Sequence, residues 1–83
     1  MSPPRDRIAE EILRQCHGRG LGKTICPSEV ARALADEWRA LMPEVRDVAR
    51  GLAEEGRIAV YRKGEAVSDN DTGGVIRLGL PPG

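Results

Sequence analysis

The spacing of apolar residues changes once along this chain of 83 residues, near Gly56. Before this glycine, apolar side chains recur at the spacing of an amphipathic helix. After it, they alternate with other residues, as they do in half-buried strands. A chain of this length builds only one hydrophobic core. The sequence therefore predicts a single α+β domain over residues 1–83, with helices first and a β-hairpin last.

Prolines and glycines divide the first part of the chain into segments. A first helix is predicted over 5–16, and it ends in a glycine-rich turn over 17–22, because glycine readily adopts the positive φ that such a stop requires. A short extended segment over 23–25 follows. A second helix is predicted over 27–36, with Pro27 in its first turn, where a missing N–H group costs nothing.

The remaining segments alternate between helix, strand and loop. A tight helical connection is expected before Pro43, and a third helix over 43–55. Strands are predicted over 57–62 and 75–80, joined by a mobile loop over 63–74 that is rich in turn-forming residues. The ends of the chain, 1–4 and 81–83, are expected to be flexible tails.

This order of elements is that of a winged helix-turn-helix domain. Two short helices with a close connection form the helix-turn-helix, and the C-terminal hairpin forms the wing. The short strand before the second helix is expected to pair at the edge of the hairpin. Trp38 is expected to pack between the second and third helices, since the chain has no phenylalanine to fill that space.

Several segments also carry a resemblance to a known family. They are Gly-Lys-Thr-Ile-Cys-Pro-Ser-Glu-Val-Ala-Arg-Ala-Leu at 22–34, Trp-Arg-Ala-Leu-Met-Pro with Val-Arg within 38–46, Gly-Arg-Ile at 56–58, and Gly74 with Ile-Arg-Leu at 76–78. Together they are similar to the signature of a small bacterial family of unknown function. The resemblance implies a winged-helix-like fold. It implies no activity and no functional residues.

Composition excludes several classes of function. Basic and acidic residues number 13 each, so the net charge is zero and the chain is not a general polycation that binds nucleic acid by charge alone. Two aromatic residues cannot form a stacking platform for single strands. The only histidine, His17, leaves no material for a catalytic triad. We expect no enzyme activity and no cofactor.

The two cysteines raise the question of a metal or thiol site. With His17 they make three candidate ligands without paired spacing, which is too few for structural zinc, so no metal is expected. Cys16 continues the apolar stripe of the first helix, whereas Cys26 lies at a helix start that can lower a thiol pKa. A thiol or metal switch at the two cysteines stays a third hypothesis. The paired glutamates Glu10 and Glu11 are interpreted as solvated surface.

The chain shows no signal of membrane insertion or export. No apolar run approaches the length of a bilayer span. The polar N-terminal residues lack the apolar region of a signal peptide. We therefore expect a cytoplasmic protein that does not contact a membrane.

The first functional hypothesis is binding of double-stranded DNA. The helix over 43–55 would enter the major groove, with Arg46 and Arg50 as the leading contacts. Arg39 would join them if this helix extended back through Met42, which Pro43 argues against. The hairpin would hold the phosphate backbone through Arg62, Lys63 and Arg77.

The second hypothesis is a protein-interaction or accessory domain that binds no nucleic acid. Asp47 and Glu54 share the outer face of the third helix and can pair with its arginines. The hairpin loop carries acidic residues that phosphate would repel: Glu65, Asp69 and Asp71. Because one fold serves many functions, the architecture alone does not choose between the two hypotheses.

Overall fold

The computed structural model describes residues 3–69 and 71–82. Its helices and strands, in chain order, are α1 Arg5–Arg19, β1 Thr24–Ile25, α2 Pro27–Leu34, α3 Trp38–Glu54, β2 Ala59–Arg62, β3 Glu65–Ala66 and β4 Arg77–Gly79. The strands form one antiparallel sheet in the order β1-β4-β2-β3. This confirms the α+β class and the pairing of the short first strand with the hairpin. The arrangement is compatible with a winged helix-turn-helix.

Parts of two predictions fall outside the described residues. Positions 1–2 and 83 of the expected flexible tails are not described, and neither is position 70 of the expected mobile loop. None of the helices in the described part of the chain is long and apolar enough to span a bilayer.

α1 continues past the predicted end at Cys16. Its C-cap is Gly20, which has φ +91° and donates its N–H to the carbonyl of Cys16 at 3.1 Å. His17 and Arg19 lie in the last turn, where positive charge is favourable beside the helix carbonyls. The first glycine of the turn therefore remains helical, and only Gly20 ends the helix.

α3 begins at Trp38, and the predicted connection before Pro43 is wrong. The helix runs through Pro43 although a proline removes one helical hydrogen bond. Packing explains this extension, because Leu41 is only 3% exposed and Trp38 is partly buried against the core. α2 correspondingly ends at Leu34 rather than near residue 36.

The core lies between the three helices and one face of the sheet. Val45, Val48, Ala49 and Leu52 form the buried face of α3, as the sequence predicts. α1 contributes Ile8, Ile12 and Cys16, α2 contributes Val30 and Ala31, and the sheet region contributes Ile25, Ile58, Val60, Ile76 and Leu78. Because neighbouring residues of a strand alternate between faces, Thr24, Tyr61 and Arg77 lie on the opposite face, where Arg77 is exposed and the other two are half-buried.

The predicted loop over 63–74 contains an additional strand. β2 and β3 form a hairpin joined by Lys63 and Gly64, whose φ values of +51° and +84° match a two-residue type I′ turn. Asn-Gly is the usual sequence of this turn, and Lys-Gly is a weaker signal. The strand was missed for this reason and because Glu65–Ala66 is too short to show alternation. The hairpin thus has a tight tip at Lys63.

Candidate interaction surfaces

α3 carries three of the arginines that the sequence proposes for DNA binding. Because the helix extends back to Trp38, Arg39 lies on the same helix as Arg46 and Arg50. Their guanidinium groups have different surroundings, which determine how much of each charge remains available to a partner.

Arg46 attaches α3 to the loop that leads into β4. Its guanidinium donates hydrogen bonds to the carbonyl of Thr72 at 2.5 Å and to that of Gly74 at 2.8 Å. The side chain is half-buried, and Thr72 is buried beneath it. Hydrogen bonds from a charged donor are among the stronger ones in proteins. Arg46 therefore has a structural role in this fold.

Arg50 belongs to an ion-pair cluster on the surface of α3. Arg50 and Arg5 each donate to the carboxylate of Asp47 at 2.7 Å. The hydrogen bond from Arg5 is the main cause that lowers the pKa of Asp47, and the charge of Arg50 adds to it. All three side chains are at least 43% exposed, so the cluster is screened by solvent.

Arg39 is exposed and stacks on Trp38 together with an arginine of α2. The guanidinium carbons of Arg32 and Arg39 each lie 4.4 Å from the centre of the indole ring. Over the described range, no carboxylate lies within ion-pair distance of either guanidinium. Cation–π contacts thus hold two exposed cations where α2 and α3 meet.

The three cations of the hairpin region also differ in the groups that surround them. Arg62 donates to the carbonyl of Asp71 at 2.9 Å and lies 3.5 Å from its carboxylate. Arg77 donates to the hydroxyl of Thr24 at 2.7 Å and to its carbonyl at 3.1 Å, and both acceptors are neutral. Lys63 is exposed at the tip of the β2–β3 turn. Of these three cations, only Arg62 has an ion-pair partner among the described residues.

These hairpin residues surround a groove of about 530 Å³ at the solvent side of the sheet. The groove is predominantly apolar. Its lining consists of Thr24, Tyr61, Arg62, Lys63, Gly64, Val75, Ile76 and Arg77. Val75 is 92% exposed, the largest exposure of any large apolar side chain that the structure describes. A concave apolar surface with a few polar groups at its margin is typical of a binding site.

Gly79 allows the strands beneath the groove to approach closely. A Cβ atom at this position would lie 2.8 Å from the carbonyl oxygen of Lys23 and 3.2 Å from the ring of Tyr61. The Tyr61 ring therefore lies close to this glycine, and its hydroxyl donates to the carbonyl of Leu80 at 2.7 Å. These contacts fix the aromatic wall of the groove.

The interpretation of Glu11 as solvated surface is wrong. Glu11 is 3% exposed, and its carboxylate accepts hydrogen bonds from Arg14 and Gln15. The bond from Arg14 is the main cause that lowers the pKa of Glu11, and burial opposes it. Gln15 also donates to the carbonyl of Glu29 in α2. The packing of α2 against this side of α1 accounts for the burial.

The cysteines lie in different environments. Cys16 is completely buried, and burial raises the pKa of its thiol to about 11. The Sγ of the partly exposed Cys26 accepts a hydrogen bond from Ser28 at 3.1 Å. Residues 3–69 and 71–82 contain no group of three or more side chains arranged to hold a metal ion.

Comparison with known protein families shows which family the chain belongs to. The sequence profile of a family described as "Protein of unknown function (DUF3253)" matches residues 5–81. The chain belongs to this family. No curated protein sequence matches it significantly. The DUF3253 match covers every helix and strand described above, and it brings no activity and no residue roles.

The structure of this DUF3253 domain separates the predicted site residues into two places. Arg62, Lys63 and Arg77 meet around the groove. The three arginines of α3 line no part of it. Sequence reasoning missed Val75 and Arg32. The exposure of Val75 could have been predicted, because alternation in the last strand puts this residue on the side away from the core. The stacking of Arg32 on Trp38 could not, because it depends on how two helices pack.

Proposed function

We propose that this DUF3253 domain is a protein-interaction module without catalytic activity, and that its partner docks in the groove beside the hairpin. The exposed Val75 at an apolar groove is the observation that carries the proposal. Isolated exposed apolar residues are common on protein surfaces, but an apolar concavity with a charged margin is typical of a docking site. The single histidine, His17, lies at the end of α1 and outside the groove.

Two arginines of α3 are engaged by groups within the chain, which favours a protein partner over DNA. Arg46 is hydrogen-bonded to two loop carbonyls, and Arg50 is paired with Asp47. Contacts with phosphates would have to replace or share these interactions. A helix that reads the major groove normally presents such side chains to base edges and phosphates.

A differential binding experiment tests the proposal. The purified chain and two variants, Val75→Asp and Leu21→Asp, are used to capture proteins from an extract of cells that express the chain, and each captured candidate is then purified. Leu21 is the matched control, because it is 68% exposed and outside the groove. We expect Val75→Asp to weaken binding of the purified partner at least roughly tenfold, because the substitution places an unpaired charge against the apolar surface of the partner. Equal affinities of the two variants would refute docking in the groove.

DNA binding remains the second candidate function because of one observation. Arg32, Arg39 and Lys63 are exposed cations without a carboxylate partner among the described residues. They are available to phosphates at the start of α3 and at the tip of the wing. This supports a phosphate-contacting mode with few base contacts.

Titration of a fluorescent mixed-sequence duplex tests the second candidate. Measurements begin at about 50 mM salt, where electrostatic attraction is strongest, and continue at higher salt. If DNA binds, the single variants Arg39→Gln and Lys63→Gln will each reduce both affinity and salt dependence. Arg19→Gln on α1 removes the same charge as either of them and serves as the matched control. Absence of binding at the lowest salt would eliminate this candidate.

A further inference from the structure

The lining of the groove is positively charged, although the whole chain has a net charge of zero. The chain has equal numbers of basic and acidic residues, yet the groove is lined by three basic residues and by no Asp or Glu. Arg62 has Asp71 nearby, but Arg77 is bonded only to neutral oxygen atoms of Thr24. Arg77 and exposed Lys63 therefore have no carboxylate within ion-pair distance among the described residues, and Glu65, two residues after Lys63, does not line the groove.

The backbone at Lys63 provides a second, independent observation. Lys63 has φ +51°, and it is the only residue other than glycine with positive φ in the described part of the chain. This conformation is unfavourable for a side chain such as lysine, whereas Asn or Gly adopts it readily in a type I′ turn. A lysine held in such a conformation at the margin of a groove is consistent with a role for its ammonium group in binding.

The apolar part of the groove is held in place before any partner binds. Val75 follows Gly74, whose carbonyl accepts from Arg46. Arg46 also binds the carbonyl of Thr72, and Arg62 binds that of Asp71. Three side-chain hydrogen bonds to carbonyls thus anchor the segment that presents Val75. A surface ordered in advance loses less conformational entropy on binding.

We infer that the groove binds an acidic peptide segment of a partner protein, with one apolar side chain inserted beside Val75 and Tyr61 and with carboxylates facing Lys63 and Arg77. This inference rests on the proposed function and names the chemistry of the partner. A volume of about 530 Å³ accommodates a large side chain and adjacent backbone, and is in the range of ligand pockets.

Charge argues for this occupant over two others. A second copy of the chain docked through the same groove would bring two cationic margins together, which is unfavourable. A nucleic-acid backbone would satisfy the cations but would leave the apolar wall formed by Val75 and Tyr61 in contact with phosphate and sugar. An acidic segment with an apolar anchor complements both features.

Fluorescence anisotropy with defined peptides tests the inference. The probe set consists of labelled peptides in which a central leucine, phenylalanine or tryptophan is flanked by glutamates. One control set replaces the glutamates by lysines, and the other replaces the central residue by serine. We expect the best acidic peptide to bind at least roughly tenfold more tightly than either of its controls, and its affinity to fall with added salt.

Charge reversal on the protein provides the matched test. Lys63→Glu is expected to lower the affinity for the acidic peptide roughly tenfold and to raise the affinity for the lysine peptide. Arg19→Glu changes the net charge equally but lies at the end of α1, outside the groove, and is expected to leave both affinities within about twofold of the original. Thermal melts of both variants establish that they fold.

The outcomes distinguish the inference from the proposed function. Equal binding of acidic and lysine peptides, or an unchanged affinity in Lys63→Glu, overturns the acidic occupant. If no peptide binds while a purified partner still requires Val75, the interaction function stands and the peptide chemistry is wrong. If ultracentrifugation shows a dimer that Val75→Asp dissociates, the groove is occupied by a second copy and the inference is overturned.

Discussion

Two regions of this domain carry similar cations and use them differently. On α3, Arg46 and Arg50 donate to acceptors within the chain, at the loop before β4 and at Asp47. At the groove margin, Lys63 is exposed and Arg77 has only neutral partners. Arg46 and Arg77 each donate to two neutral oxygen atoms, but Arg46 is half-buried and Arg77 is exposed. Arg50 is exposed like Arg77, but its charge is paired with the carboxylate of Asp47. Burial and a nearby carboxylate therefore decide whether an arginine is engaged within the fold or remains available for binding.

Arg46→Met is expected to lower the free energy of unfolding by about 2–3 kcal/mol, because two hydrogen bonds from a charged donor are lost and the carbonyl of the buried Thr72 loses its partner. Urea denaturation measures the change. The same variant is expected to weaken peptide binding, since the segment carrying Val75 is released. A stable Arg46→Met variant that fails only in DNA binding would place Arg46 among the binding residues.

Glu11→Gln is expected to cost about 1–2 kcal/mol at neutral pH, because the amide accepts less strongly from Arg14 and Gln15. The pKa of Glu11 is lowered in the folded state from 4.5. Its contribution is therefore fully present above 4.5 and is lost as the pH falls through the lower folded value. Denaturation curves measured at several acidic pH values should show a weaker pH dependence in Glu11→Gln. If the free energy of unfolding fell equally with decreasing pH in both proteins, Glu11 would not be the source of the pH dependence.

Lys63→Asn is expected to raise the free energy of unfolding by about 0.5–1 kcal/mol, because asparagine tolerates the positive φ of the turn better than lysine does. The same substitution is expected to lower the affinity for the acidic peptide. Urea denaturation and anisotropy on one protein preparation measure the two effects. A variant that loses stability would show that Lys63 is required by the fold, which would remove it from the binding residues.

Arg50→Ala is expected to change the free energy of unfolding by less than about 0.5 kcal/mol, because the pair with Asp47 is exposed and Asp47 retains Arg5. Urea denaturation in parallel with Arg46→Met gives the comparison directly. A cost of similar size for the two arginines would show that the surface cluster contributes as much as the half-buried attachment, and the division drawn for α3 would fail.

Local patterns account for the elements that were predicted correctly. The spacing of Val45, Val48 and Leu52 identified the buried face of α3, since helical geometry alone decides which residues share a face. The alternation around Ile76 and Leu78 identified the strand and its core side. The start of α3 was mispredicted because a local rule about Pro43 competed with the burial of Leu41, and tertiary packing prevailed.

The sequence by itself determined the α+β class, the order of helices and the hairpin, and the core-facing residues, because these depend on periods of a few residues. Only the tertiary structure decided that Arg46 binds Thr72 and Gly74, that Glu11 is buried, and that three hairpin cations surround one apolar groove. The physical reason is reach. A long side chain bonds whatever acceptor the folded chain brings near it, and for Arg46 those acceptors come from a loop 26 and 28 residues further along the chain.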